Sequence, residues 1–199
     1  MSGRPPGFTL IELLVSMVFL ALFGLAVQQF CTALLRGVRV LELASEAQEA
    51  ARLGVQLIVA DAREAGFSPA GTLPDGIRRA GPDGVAIARD LDGDGDVDDA
   101  NERVAYQYAP DRRALLRAQG VAPAQPFLAD LDDDGLALTY LAADGSLLPG
   151  GELDAAQRAR IRRVTVRLRL AIRRADPAVT QPIRVEQTAT ATLRNVEVE

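Results

Sequence analysis

Hydrophobic positions are arranged in three different ways along this chain. Residues 8–27 form an almost unbroken apolar run whose one strongly polar member is Glu12. Beyond it, Leu34, Val38, Leu41, Ala44, Gln48, Ala51, Val55, Ile58, Ala62 and Ala65 recur at steps of three and four, with Arg39, Glu42, Glu46, Glu49, Arg52 and Arg63 between them. That spacing is the period of a helix with one apolar stripe. After Pro69 the period becomes two.

The first two patterns predict one helix. No Pro interrupts residues 8–65, and "AGFSP" supplies the stop, a Gly and then a Pro. Continuous over that range, the helix is about 85 Å long, and its first twenty residues alone span the roughly 30 Å of a bilayer's hydrocarbon core. A cleaved secretory signal fits less well: the start holds only Arg4, the apolar core is too long, and "VQQFCTALL" is a poor exit for signal peptidase. Arg4 before the run and Arg36 and Arg39 after it nearly balance, so charge does not orient the span. A coiled coil competes for the second half. Its stripe is rich in Ala and short of Leu and Ile, which favours packing on the chain's own C-terminal domain.

The period-two region predicts strands. In "RRVTVRLRLAIRR", Val164, Val166, Leu168, Leu170 and Ile172 share one face, opposite Arg163, Thr165, Arg167, Arg169 and Arg173. "IRVEQTATATLR" sets Ile183, Val185, Ala189, Ala191 and Leu193 against Arg184, Glu186, Thr188, Thr190 and Thr192, with an antiparallel return through "ADPAVTQP". "RVAYQY" and "ALLRAQ" read as a hairpin around Asp111, and "LALTYLAADGSLL" as another turning at Asp144 and Gly145. A short helix is expected within residues 153–159. The fold class is therefore α+β, a long N-terminal helix packed by its second half on an antiparallel β-sheet. The Arg face of residues 162–174 reads as a solvated strand surface shared with Glu186 and other acids.

Composition narrows the function. The 199 residues carry a net charge of -5, which argues against a nucleic-acid binder. All 22 basic residues are Arg, and there is no His, so the commonest acid–base group and zinc ligand is missing. The single Cys31 forms no internal disulfide and reads as a buried, inert thiol. No G-x-S-x-G, no P-loop and no nucleophile with an evident base occurs, so no enzyme is expected.

Two stretches invite chemistry. In "DLDGDGDVDDANE", Asp90, Asp92 and Asp94 alternate and Gly95 follows, which matches the opening of an EF-hand-type calcium loop. Asp96 and Asp98 continue the series, and Asp98 holds the ninth place. The twelfth place, where a bidentate Glu belongs, is Asn101, and Glu102 stands one residue late. Calcium at Asp90, Asp92, Asp94, Asp96 and Asp98 is one reading; a solvated connector of mutually repelling acids is the other. "DLDDDG" at 130–135 repeats the opening more weakly.

The other stretch is "GFTLIELLVSM". It resembles the type III signal of type IV pilins and type II secretion pseudopilins. The resemblance implies a leader "MSGRPPG" cut after Gly7 by prepilin peptidase, N-methylation of Phe8, and Glu12 as the fifth mature residue. It further implies that Glu12 pairs with a neighbouring subunit's free amino terminus during assembly. A carboxylate inside a span is a functional candidate by default, and the helix's positive end offsets part of its cost. An interfacial Glu that snorkels to headgroups is the plainer reading. The order "EAGFSPAG", "DLDGDGD", "VAYQY" and "RADP" is similar to PilW-type minor pilins, without the C-terminal Cys pair of major pilins.

The implied organisation is a leader at 1–7, a transmembrane and filament-core helix at 8–30, its amphipathic continuation at 31–66, and an extracytoplasmic β-rich head at 67–199. The implied function is that of a minor pilin in type IV pilus assembly or initiation. A pseudopilin of J type in type II secretion, and a calcium-binding adhesive module on a filament, are the alternatives. Expected partners are other pilins through the helix, prepilin peptidase and the inner membrane, with the N-terminus cytoplasmic and the head periplasmic before assembly; no nucleic acid and no obligatory cofactor are expected.

Overall fold

The computed structural model describes residues 7, 9–73, 76–173 and 181–194. Helix α1 is continuous over Leu10–Arg63, 54 residues without a break. Among the described residues it is the one helix long and apolar enough to cross a membrane, by length and composition. A two-stranded ribbon follows, β1 (Phe67–Ser68) and β2 (Gly71–Thr72). Next come β3 (Ile77–Ala80), β4 (Gly84–Ala88), β5 (Arg103–Ala109), β6 (Ala114–Gln119) and β7 (Gln125–Leu128). The chain ends with β8 (Leu131–Leu141), the short helix α2 (Ala155–Ala159), β9 (Arg163–Ile172) and β10 (Ile183–Thr192).

These strands form two antiparallel sheets beside the ribbon, ordered β3-β4-β5-β6-β7 and β10-β9-β8. The α+β class holds, but the single sheet expected from the strand patterns is divided. The division falls between β7 and β8, at Ala129 and Asp130, where Asp130 adopts φ 59. The sheets stay joined by polar contacts: Leu131 N–H donates to Arg113 O at 2.9 Å, and Leu138 N–H to Pro82 O at 3.1 Å. The Tyr140 hydroxyl donates to Gly81 O at 2.9 Å and the Arg113 guanidinium to Ala171 O at 2.9 Å.

One hydrophobic core runs through α1 and both sheets, with Ile58, Tyr106, Leu115, Leu131, Val164, Val166 and Leu168 almost wholly buried. The inward face of β9 is the one its alternation predicts. α1 lies on β10 and β9. Its buried positions begin at Leu43 and continue through Ala47, Ala51, Gly54, Val55, Ile58, Val59, Asp61 and Ala62. Leu34, Val38 and Leu41, placed on the stripe by periodicity, are exposed instead. The length of the sheet explains this. Ten residues of β10 extend about 33 Å, which matches about 30 Å of helix over residues 43–62 and leaves none for the preceding turns. Cys31, expected to be buried, is exposed for the same reason.

Two further expectations meet local limits. The turn at Asp144 and Gly145 forms, with Ala142 N–H on Ser146 O at 3.0 Å, but its return arm makes only the bridge Leu141↔Leu147. Pro149 and two glycines follow at once, and Pro has no N–H for a ladder. In β8 the register slips between Leu131 and Leu136, so Asp132, Asp133 and Asp134 bulge out of the ladder.

Gly54 lets the helix lie close against side chains of both sheets. A Cβ there would stand 3.0 Å from Leu168 Cδ1 and 3.2 Å from Leu128 Cδ2. Leu is a far better helix former than Gly, so Gly54→Leu isolates the packing term. The expected outcome is a loss of about 1–3 kcal/mol from overpacking, read by urea denaturation of the detergent-solubilised chain.

Candidate functional site

The N-terminal end of α1 begins at Thr9, which is extended at φ -81 and ψ 150 and caps the helix through its side chain. Glu12 stands in the first turn, where the positive end of the helix favours a carboxylate. Its N–H donates to Thr9 O at 3.1 Å, and the Thr9 hydroxyl lies 3.4 Å from Glu12 Oε2. The side chain is exposed and makes no ion pair among the described residues. Every described residue from 9 to 39 is exposed, including Leu10, Ile11, Phe19, Phe23, Phe30 and Leu35. Gly7 is described and exposed; Phe8, on the other side of the expected cleavage, lies outside the described residues.

At the other end of α1, sequence reasoning passed over a buried ion-pair cluster. Asp61 is 6% exposed, and its Oδ1 accepts from the Arg89 guanidinium at 3.2 Å. Its Oδ2 accepts from the Tyr106 hydroxyl at 2.5 Å and lies 3.8 Å from Arg117 Nη2. Arg117 also donates from Nε to the Tyr106 oxygen at 3.1 Å, with its guanidinium 5.8 Å from the ring centre. Arg89 reaches Glu64 as well, and donates from Nε to Asn101 O at 3.1 Å. Burial first, and then the hydrogen bond to Asp61, push the Tyr106 hydroxyl well above its ordinary pKa, so it remains a donor. The available signal was positional: Asp61 falls three residues after Ile58, on the stripe itself.

The acidic loop leaves this cluster directly. Pairing of β4 with β5 continues past Ala88 and Arg103, with Arg89 N–H donating to Glu102 O at 2.9 Å. Glu102 is thereby returned beside the start of the loop it closes. Asp90 is fully buried; its carboxylate accepts from the Ser68 hydroxyl at 2.8 Å, Gly93 N–H at 2.7 Å and Gly95 N–H at 3.3 Å. Positive φ at Gly93 and Gly95, 84 and 88, lets the loop curl around it. Burial opposes the Asp90 charge, but these three hydrogen bonds outweigh it and hold the carboxyl below its usual range.

The five sequence-predicted aspartates are not brought together as a set. Asp90 and Asp92 converge with Glu102, each offering an oxygen within 4.8 Å of the others. Asp94, Asp96 and Asp98 lie outside that trio and are exposed. Asp94 accepts from Asp96 N–H at 3.0 Å and Asp96 from Asp98 N–H at 2.8 Å, while Asp98 meets Arg103 at 2.5 Å. Asp99 is raised above the usual carboxylate range, first by the Asp92 charge and then by that of Glu102. The second acidic run is occupied by arginines: Asp134 pairs with Arg169 and Arg167, and Asp132 with Arg173 and Arg184. That pairing satisfies the carboxylates without an ion.

Neither a scan against protein-family models nor a search of curated proteins found a match. Among solved structures, a type IV-like pilin from Thermus thermophilus is similar at 11% identity with a TM-score of 0.47, over 74% of this chain and 95% of that one. At that score the likeness is one of general shape.

Removing Asp61 leaves the buried Arg89 with the solvent-facing Glu64 as its one carboxylate partner among the described residues and takes the acceptor from the Tyr106 hydroxyl. Asp61→Ala is expected to cost about 1–3 kcal/mol, the penalty for a buried donor left without its acceptor. Urea unfolding of the full chain in detergent measures it.

Proposed function

We propose that this chain is a minor pilin, a structural subunit held in the inner membrane by α1 and then drawn into a type IV pilus. One observation carries the reading. Residues 10–27 of α1 are apolar on nearly every face, and every described residue from 9 to 39 is exposed. Such a surface requires lipid or other helices around it. Placed at the start of that surface, the exposed Glu12 carboxylate is in position to receive a cation from a neighbour. The free amino terminus of a processed subunit is a cation of the right kind, and pairing would neutralise two charges that apolar surroundings penalise. The sequence "GFTLIELLVSM" supports the processing that creates it. In this reading the N-terminus faces the cytoplasm and residues 67–199 form the periplasmic head.

Mass spectrometry of the chain from its native host is expected to show a start at N-methylated Phe8; an intact Met1 start with the peptidase present would refute the assignment. Glu12→Ala is expected to leave cleavage largely intact and to hold the chain in the membrane fraction. Recovery of this variant in sheared filaments at the wild-type level would exclude the charge-pairing role.

A further inference from the structure

We infer that Asp90, Asp92 and Glu102 form a calcium site that fastens the 90–102 loop to the turn after α1. Three carboxylates converge there, and no ion pair to any of them occurs among the described residues. The nearby arginines are engaged elsewhere: Arg89 with Asp61 and Glu64, and Arg103 with Asp98. Convergence of acids alone would not make a site. A second observation points to a ligand. Glu102 is 2% exposed, its Oε1 accepts from Leu91 N–H at 2.7 Å, and its buried Oε2 has no hydrogen-bond partner. An unpaired buried carboxylate oxygen is costly, and a cation is the partner this environment lacks.

The chemistry selects the ion. Every available donor is a hard oxygen, with neither His nor thiolate at hand, which favours calcium or magnesium over the transition metals. Ligand oxygens about 2.4 Å from one calcium ion are at most about 4.8 Å apart, and the oxygens of this trio meet that limit. Water completes the six to eight ligands that calcium takes, since Asp92 is exposed.

Binding has a structural consequence. Asp90 holds Ser68, its N–H donates to Phe67 O at 2.8 Å, and Gly93 lies against Pro69. An ion gripping Asp90 would therefore tie the loop to the ribbon that leaves α1, one residue from the Arg89 ion pair.

The test is calcium titration of the full chain in detergent, by calorimetry and thermal unfolding, beside Glu102→Gln, Asp92→Asn and Asp96→Asn. Wild type is expected to bind one calcium with Kd of about 0.1–1 mM, the range of extracellular calcium modules, and to melt at a higher temperature with it. Glu102→Gln and Asp92→Asn are expected to weaken binding about tenfold or more, and Asp96→Asn to leave it within about twofold, because ligand charge sets calcium affinity. Asp92 is exposed, so its variant carries the test if Glu102→Gln fails to fold. No binding at 10 mM calcium (about ten times the weakest expected Kd), equal binding by Asp92→Asn, or loss confined to Asp96→Asn would each overturn the assignment.

Discussion

Asp61 decides how this molecule is held together. A carboxylate on the buried stripe of a helix would be intolerable alone, and here it is a polar point of contact between α1 and the five-stranded sheet. Apolar contacts seat the helix on β9 and β10. They are non-directional and would tolerate sliding. The bonds from Arg89 on the β4 side and from Tyr106 on β5 are directional, so they fix the register of helix against head. The same Arg89 precedes Asp90, which places the acidic loop where the helix ends.

This arrangement divides α1 by environment rather than by sequence. Residues 43–62 face the head, and residues before 40 face whatever surrounds the chain. The helix runs unbroken across the change, and a Cβ added at Gly24 or Gly37 would meet no atom within 4 Å. The helix is one continuous element in two environments. A head at one end and an apolar rod at the other suits the subunit role proposed above, in which the rod passes from lipid into a bundle of like rods.

Most of the fold was legible because its signals are local. The stripe around Ala51, Val55, Ile58 and Ala62, and the alternation of Val164 to Ile172, each announce an element and the face it buries. What escaped depends on contacts remote in sequence. Asp61 carries no local signal of its role, because its partners lie 28 and 45 residues away. Glu102 looked misplaced when counted along an EF-hand template, yet strand pairing between β4 and β5, not loop length, brings it back to Asp90. The division into two sheets depends on which strands choose one another, and alternation is silent on that choice. The N-terminal motif was read from its order alone, and Phe8 at its centre lies outside the described residues.

The bulge in β8 gives the head an internal counterion. Arg167, Arg169, Arg173 and Arg184 would otherwise present a cationic ladder across β9 and β10, but Asp132, Asp133, Asp134 and Glu186 are folded over it. Opposite charges this close cancel beyond a Debye length of about 8–10 Å, so the face projects little field into solution. Neither polyanions nor identical heads would sense it at a distance. In the filament proposed above, crowded subunits would therefore bring these faces together without the mutual repulsion that a bare arginine ladder would impose.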